Sequence, residues 1–223
     1  MPCAQCEGIE IEFGRAHARR KLRSFRRRGP DRTTRLLIDA LRAAIDEAGA
    51  RSVTLLDIGA GIGAIHHELL NGRVARAVHV DASTAHLAAA REETERRQHT
   101  DRVTFVHGDF VTLADTIPAA GVVTLDRVIC CYDDMERLVR RSGEKAGQFY
   151  GAVYPRRIAW MRVGIAALNV VQRVKRSPFR VYLHAPDAID AVLRATGLTR
   201  RVARHTLGWE VVVYERTTGA SKR

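Results

Sequence analysis

The chain has 223 residues, 46% of them hydrophobic and 28% charged, and its 37 Lys and Arg against 25 Asp and Glu give a net charge of +12. These proportions exclude a disordered or collagen-like chain, and the length suits one domain with a terminal extension. No apolar leader opens the sequence and no run of about 18 apolar residues marks a membrane span. Four cysteines are too few for a disulfide scaffold, so a reducing cytoplasm is the expected compartment.

Residues 1–14 read as a short lead carrying Cys3 and Cys6. Residues 15–28 read as a basic helix with Ala16, Ala18, Leu22 and Phe25 on its apolar side, broken at Gly29-Pro30. From Arg15 to Arg35 there are ten basic residues and one acid, Asp31, which accounts for nine of the twelve net charges. Such an arm suits phosphates, nucleic acid, an anionic membrane or an acidic small molecule, and a solvated helix face has the same pattern. Asp31 is placed to cap a second helix, whose Leu37, Leu41 and Ile45 recur at helical spacing up to Gly49.

From Arg51 the rhythm changes. Strand-like runs at SVTLLDIG, ARAVHVDA, RVTFVHGDF, GVVTLDRVICC and QFYGAVYPR alternate with helical stretches, the pattern of a parallel sheet covered on both faces. A long apolar helix at about 157–175 then interrupts the alternation, flanked by Arg156, Arg157, Arg173, Lys175 and Arg176. It fits an ordinary buried helix, a wall for a greasy substrate, or a membrane surface. An extended connector, PFRVYLH, leads to a helix from Pro186 and two closing strands that meet near Gly208.

The sharpest motif is Asp57-Ile58-Gly59-Ala60-Gly61-Ile62-Gly63, a buried strand ending in an acid and then glycine at every second position before a helix. Glycines there let backbone approach a ligand at a helix N-terminus. The spacing departs from the dinucleotide fingerprint, and the acid before the first glycine suits a cationic group better than a pyrophosphate. Asp81 ends the second strand, 20 residues after Gly61, where a carboxylate can accept both ribose hydroxyls. Asp109 follows the third strand, within reach of an adenine amino group.

These motifs, together with Gly108-Asp109-Phe110 and Val123-Thr124-Leu125-Asp126, resemble the class I S-adenosylmethionine (SAM)-dependent methyltransferases over residues 50–216. The resemblance implies a Rossmann-like, doubly wound, mostly parallel seven-stranded sheet with an antiparallel C-terminal hairpin and an N-terminal helical lid. It implies a lid with a basic arm at 1–49, a SAM-binding domain at 50–216 and a frayed tail at 217–223. It also implies Gly59, Gly61 and Gly63 around the methionine moiety, Asp81 on the ribose and Asp109 near the adenine. Asp57, Ala82, Phe110 and Asp126 complete the cofactor candidates. The residues after the fourth strand then face the methyl group, with Arg127, Cys131 and Tyr132 among them. From the lid, Phe25 and Arg35 are the substrate candidates, beside Arg26, Arg27 and Arg28.

In the connector, alternation puts Arg180, Tyr182 and His184 on one side, with Arg180 as a carboxylate clamp and His184, like Tyr132, as a proton acceptor. His184 equally suits a cap for the helix that follows. This segment and LDRVICCYDD resemble a subgroup, the magnesium-protoporphyrin O-methyltransferases, except that Cys131 stands where the subgroup has histidine and Phe25 where it has tyrosine. The subgroup acts on a propionate of a large apolar ring.

Three readings stand at this point. The first is a SAM-dependent enzyme acting on a small or medium-sized, acidic and apolar acceptor, with oxygen as the methylated atom. The second is an RNA methyltransferase using the arm, against which no aromatic stacking set or added RNA-binding domain is found. The third is a non-catalytic thiol or metal sensor using Cys3, Cys6, Cys130 and Cys131; half a zinc site and a vicinal pair favour reduced thiols with no metal. Peripheral membrane contact fits the pattern, and the oligomeric state is left open.

Overall fold

The computed structural model describes residues 4–217. Its strands are β1 (Val53–Ile58), β2 (Val74–Asp81), β3 (Val103–His107), β4 (Ala120–Asp126), β5 (Ala146–Pro155), β6 (Leu198–His205) and β7 (Trp209–Arg216). They form one sheet in the order β3-β2-β1-β4-β5-β7-β6. The first five run parallel, and β7 lies antiparallel between β5 and β6. The expected seven-stranded, mostly parallel sheet with its closing hairpin is therefore present.

The central strands are apolar on both sides because helices cover both faces. On one face α3 (Arg32–Glu47) and α4 (Ala64–Leu70) bury Leu37, Leu41, Ile45 and Leu69 against Leu55, Val122, Val153 and Val213. On the other, α7 (Met135–Lys145) and α9 (Pro186–Ala195) pack Leu138, Val139, Ile189 and Leu193 on Val123, Leu125 and Tyr150. Leu41 is fully buried, so Leu41→Ala should cost about 2–5 kcal/mol.

Asp31 caps α3 as expected, accepting the amides of Thr33 and Thr34 at 3.1 Å each. α3 is a layer of the sheet and no part of a lid, which corrects the reading of 1–49 as one lid. The covering helices are α1 (Ala4–Glu12) and α2 (Arg15–Arg28). α1 falls in the stretch read as a short Cys-bearing lead. α2 buries Ala18, Leu22 and Phe25 against Ile62 and Ala89 of the glycine loop and α5 (Thr84–Arg96). Arg26 ties it down through ion pairs with Glu93 (2.8 Å) and Glu92 (2.9 Å). Burial alone would raise the Glu93 carboxyl, but hydrogen bonds from Arg96, Arg97 and Arg26 hold it far below the ordinary range.

Two boundaries differ from expectation. β4 ends at Asp126 and does not run on to Cys131, because Arg127 adopts φ +63° and Ile129–Cys131 forms a 3-10 turn. At the C-terminus, Thr217 donates its amide to the Gly197 carbonyl at 3.0 Å and so belongs to the fold. The remaining tail, 218–223, lies outside the described residues. Among those residues, no helix is long and apolar enough to cross a membrane.

Candidate active site

The strand order reverses between β1 and β4, and the register sets Ile58 level with Val80 on one side and Leu125 on the other. The carboxyl ends of β1, β2 and β4 therefore open together at the switch point, the place where open α/β sheets hold ligands. A cavity of about 660 Å³ lies there.

Its floor is the glycine loop. Gly59 and Gly61 sit at φ +60° and +59°, a region that costs an L-residue roughly 1–2 kcal/mol. A Cβ on Gly59 would meet Val128 Cγ2 at 2.5 Å, whereas one on Gly61 would find nothing nearer than His86 Nδ1 at 3.9 Å. Gly61 thus presents bare backbone to the cavity. Gly63 (φ +81°) caps α4 and does not line the cavity; a Cβ there would run into the His66 ring.

Asp57 is buried beneath the loop. It accepts the Thr124 hydroxyl at 2.7 Å and lies 3.3 Å from His66 Nδ1. Burial pushes its carboxyl up to about 7, against the pull of the Thr124 bond, and pushes His66 down to about 3. Asp81 Oδ2 accepts the Gly61 amide and Oδ1 the Ser83 amide, both at 2.7 Å. Each oxygen keeps a lone pair for a further donor. Burial raises Asp81 to about 6, with the two backbone bonds opposing. Ala82 and Asp109 also line the cavity. Asp109 caps α6 (Phe110–Leu113) through the Val111 and Thr112 amides and accepts the Tyr132 hydroxyl at 3.2 Å. Phe110 is buried in the core on the other side of that turn and does not reach the cavity.

Asp126 and Arg127 form a polar knot with the start of α3. Arg127 pairs with Asp126 and with Asp31, both at 2.9 Å. The Thr34 hydroxyl donates to Asp126 at 2.5 Å and accepts from Arg127 at 2.7 Å. Two carboxylates thus engage the Nε and Nη2 donors of Arg127 and tie it into the cavity wall.

The upper walls come from outside the sheet. α1 contributes Glu12, the turn after it Phe13, and α2 His17, Lys21, Ser24 and Phe25. α8 (Ala159–Val174) contributes Met161, Gly164, Ile165 and Leu168, and the connector contributes Phe179 and Val181. The connector's alternation is real but has the opposite phase to the one expected. Arg180, Tyr182 and His184 all lie outside the cavity lining. Arg180 donates to the carbonyls of Ser177 (2.5 Å) and Phe179 (2.6 Å), and the Tyr182 ring stacks on His184 at 5.8 Å. His184 Nε2 donates to the Tyr132 carbonyl at 2.8 Å, a bracing bond that places its proton on that nitrogen. Arg35 is likewise outside, donating to the carbonyls of Arg28 and Pro30.

His17 and Lys21 are among the cavity residues that the sequence pattern does not mark. His17 Nδ1 lies 3.2 Å from His86 Nε2, and burial lowers both rings, His86 to about 4. Lys21, one turn on, forms no ion pair among the described residues, but lies near enough to Asp31 to help lower that carboxyl. The positions 17, 21, 24 and 25 fall on one helical face, a signal that the search for apolar positions alone passed over.

Cys130 is buried, and its Sγ lies 3.9 Å from that of Cys131, a contact without a bond. The pair Cys3 and Cys6 lies outside the described side chains. Among the described residues, no group of three or more His, Cys, Asp or Glu could hold a metal.

The donor set fits SAM. Gly61 offers a cradle that a Cβ would fill, Asp81 offers carboxylate lone pairs 20 residues on, and Asp109 stands on the far side. Residues 56–142 match the family model for a methyltransferase domain. Magnesium protoporphyrin IX methyltransferase from Synechocystis PCC 6803 with bound SAH superposes with a TM-score of 0.68 at 16% identity, over 94% of this chain and 98% of that one. The same protein with bound SAM gives 0.69 at 12%, over 96% and 97%. A 3-amino-4-hydroxybenzoate 4-O-methyltransferase of Streptomyces cremeus is 37% identical over 91 residues, which are 40% of this chain and 23% of that relative. The chain thus has the fold of the class I methyltransferases, and its residues 56–142 match the model of a methyltransferase domain, a family that uses SAM.

Proposed function

We propose that the protein transfers the methyl group of SAM to an oxygen, a carboxylate oxygen in the first instance, of a small or medium-sized apolar acid. The observation that supports this most is the division of the cavity. Its floor has glycine backbone and the carboxylates of Asp81 and Asp109, while its roof is mostly apolar, its polar groups being Glu12, His17, Lys21, Ser24 and the braced Arg127. When bound, SAM supplies an already activated methyl, so the protein has mainly to align the acceptor.

The upper walls suit a flat or bulky apolar body, held by Phe13, Met161, Ile165, Phe179 and Trp209. Lys21 is the cation available to an incoming carboxylate. A carboxylate is ionised at neutral pH and needs no base, which matches the commitments of the candidate bases. Tyr132 donates its hydroxyl proton to Asp109, and His184 is turned onto a backbone carbonyl. Residues of α2 and α8 wall the cavity on two sides and shelter the transfer from part of the surrounding water.

The test is transfer of radiolabelled methyl from SAM to a panel of hydrophobic carboxylic acids, phenols and amines. Labelled methyl esters of the acids are expected, with the KM for the acid raised at least tenfold in Lys21→Met. Label on amines alone, or on none of the panel by a protein that binds SAM, contradicts the acid-acceptor reading.

A further inference from the structure

The helix α8 carries two apolar faces and the protein covers only one. Met161, Ile165 and Leu168 turn to the cavity, while Trp160, Val163, Val170, Val171 and Val174 fall within an arc of about 100° on the outer side. These outer side chains are exposed, Val163 to 70% and Val174 to 79%, and Leu207 of the β6–β7 turn beside Trp160 to 80%. A contiguous apolar stripe of this kind marks an interaction site.

Charge says which partner it fits. No acidic residue occurs between Glu144 and Asp187, and Arg157, Arg162, Arg173, Lys175 and Arg176 flank the stripe. None of these five forms an ion pair among the described residues, whereas Arg26, Arg73, Arg96, Arg140 and Arg201 elsewhere on the molecule all do. Across the same cavity, α2 presents Arg20, Arg23, Arg27 and Arg28, also unpaired, around a shallow groove. The cavity mouth thus lies between a convex apolar helix with basic ends and a basic helix. A convex stripe with a Trp at one end and cations around it suits insertion between headgroups better than a shaped protein groove. Each basic residue adds attraction to an anionic leaflet.

We propose that α8, with the β6–β7 turn, docks on an anionic lipid bilayer, with α2 lending long-range attraction, so that the cavity mouth opens at the membrane surface. That a membrane-dissolved apolar acid enters from there rests on the function proposed above; the docking itself does not, since it requires no turnover.

The experiment is co-sedimentation of the full chain with phosphatidylcholine vesicles and with vesicles containing 30% phosphatidylglycerol. Wild type should pellet with the anionic vesicles at least tenfold more tightly than with the neutral ones, and lose this as salt rises. The double variant Val163→Glu/Val170→Glu, both exposed positions away from the cavity lining, should lose vesicle binding at least tenfold while its circular dichroism and SAM affinity stay unchanged. No binding to anionic vesicles, or equal binding by the variant, overturns the proposal. So does a stable dimer in light scattering that the variant dissociates, because a second copy would then cover the stripe.

Discussion

Arg127 and Asp126, neighbours in sequence, form a 2.9 Å ion pair where Arg127 turns to φ +63° at the end of β4. The turn folds the guanidinium back over its neighbour and onto Asp31 at the N-terminus of α3. This knot fixes the wall of the cavity to the layer beneath it. Removing the cation leaves two carboxylates facing one another in a half-buried site. Arg127→Ala should therefore destabilise the fold by about 1–3 kcal/mol in urea unfolding, between the values for an exposed and a buried pair. Arg35→Ala, at an exposed arginine bonded only to backbone carbonyls, should cost under about 1 kcal/mol.

The two loop glycines should separate stability from ligand binding. Gly59→Ala forces a Cβ into Val128 at a left-handed position, so its Tm should fall by several degrees, consistent with a cost of about 2 kcal/mol. Gly61→Ala carries the same backbone strain but has open space above it. It should keep more of its Tm than Gly59→Ala and yet lose most SAM affinity, as thermal scans with and without SAM would show.

Acid should unfold the protein earlier than its composition suggests. His66, His67 and His86 are held near 3, 2 and 4 by burial, and His79 well below its ordinary value, so the unfolded chain binds more protons on all four below about pH 6.5. Asp57 and Asp81 oppose this. Raised to about 7 and about 6, they take up protons in the folded state first and add stability as pH falls towards 4. Four histidines against two carboxylates leave a net uptake of about two protons on unfolding near pH 5. Stability should thus fall between pH 7 and pH 4, read as the midpoint of urea unfolding at each pH.

Both ring nitrogens of His79 are buried without a hydrogen-bond partner. His79→Leu removes two unsatisfied polar atoms from beside Phe105 and should raise the unfolding midpoint at pH 7 by about 1 kcal/mol. It should also flatten the acid slope. A lower midpoint at pH 7 would mean that an unseen partner satisfies the ring.

The sheet was legible because its signals are local. Alternating strand and helix runs, glycines at 59, 61 and 63, and acids at strand ends all lie within short windows. The walls of the site were less legible. Arg35, Arg180 and His184 are chemically suited to a substrate, but each is turned onto a backbone carbonyl, which charge and spacing do not reveal. The connector's period of two was readable, but its phase was set by Phe179 and Val181 seeking the apolar cavity beside Phe13. His17 and Lys21 lay inside a basic run whose bulk charge hid the one face that points inward.

The central claim is that Gly61 and Asp81 form a SAM site, and calorimetric titration of the full chain with SAM and SAH tests it most directly. Wild type should bind both at micromolar concentration, and Asp81→Ala, still folded by circular dichroism, should lose at least about thirtyfold, the worth of roughly 2 kcal/mol of hydrogen bonding to a carboxylate. Absence of binding by folded wild type, or equal binding by the variant, would contradict the account.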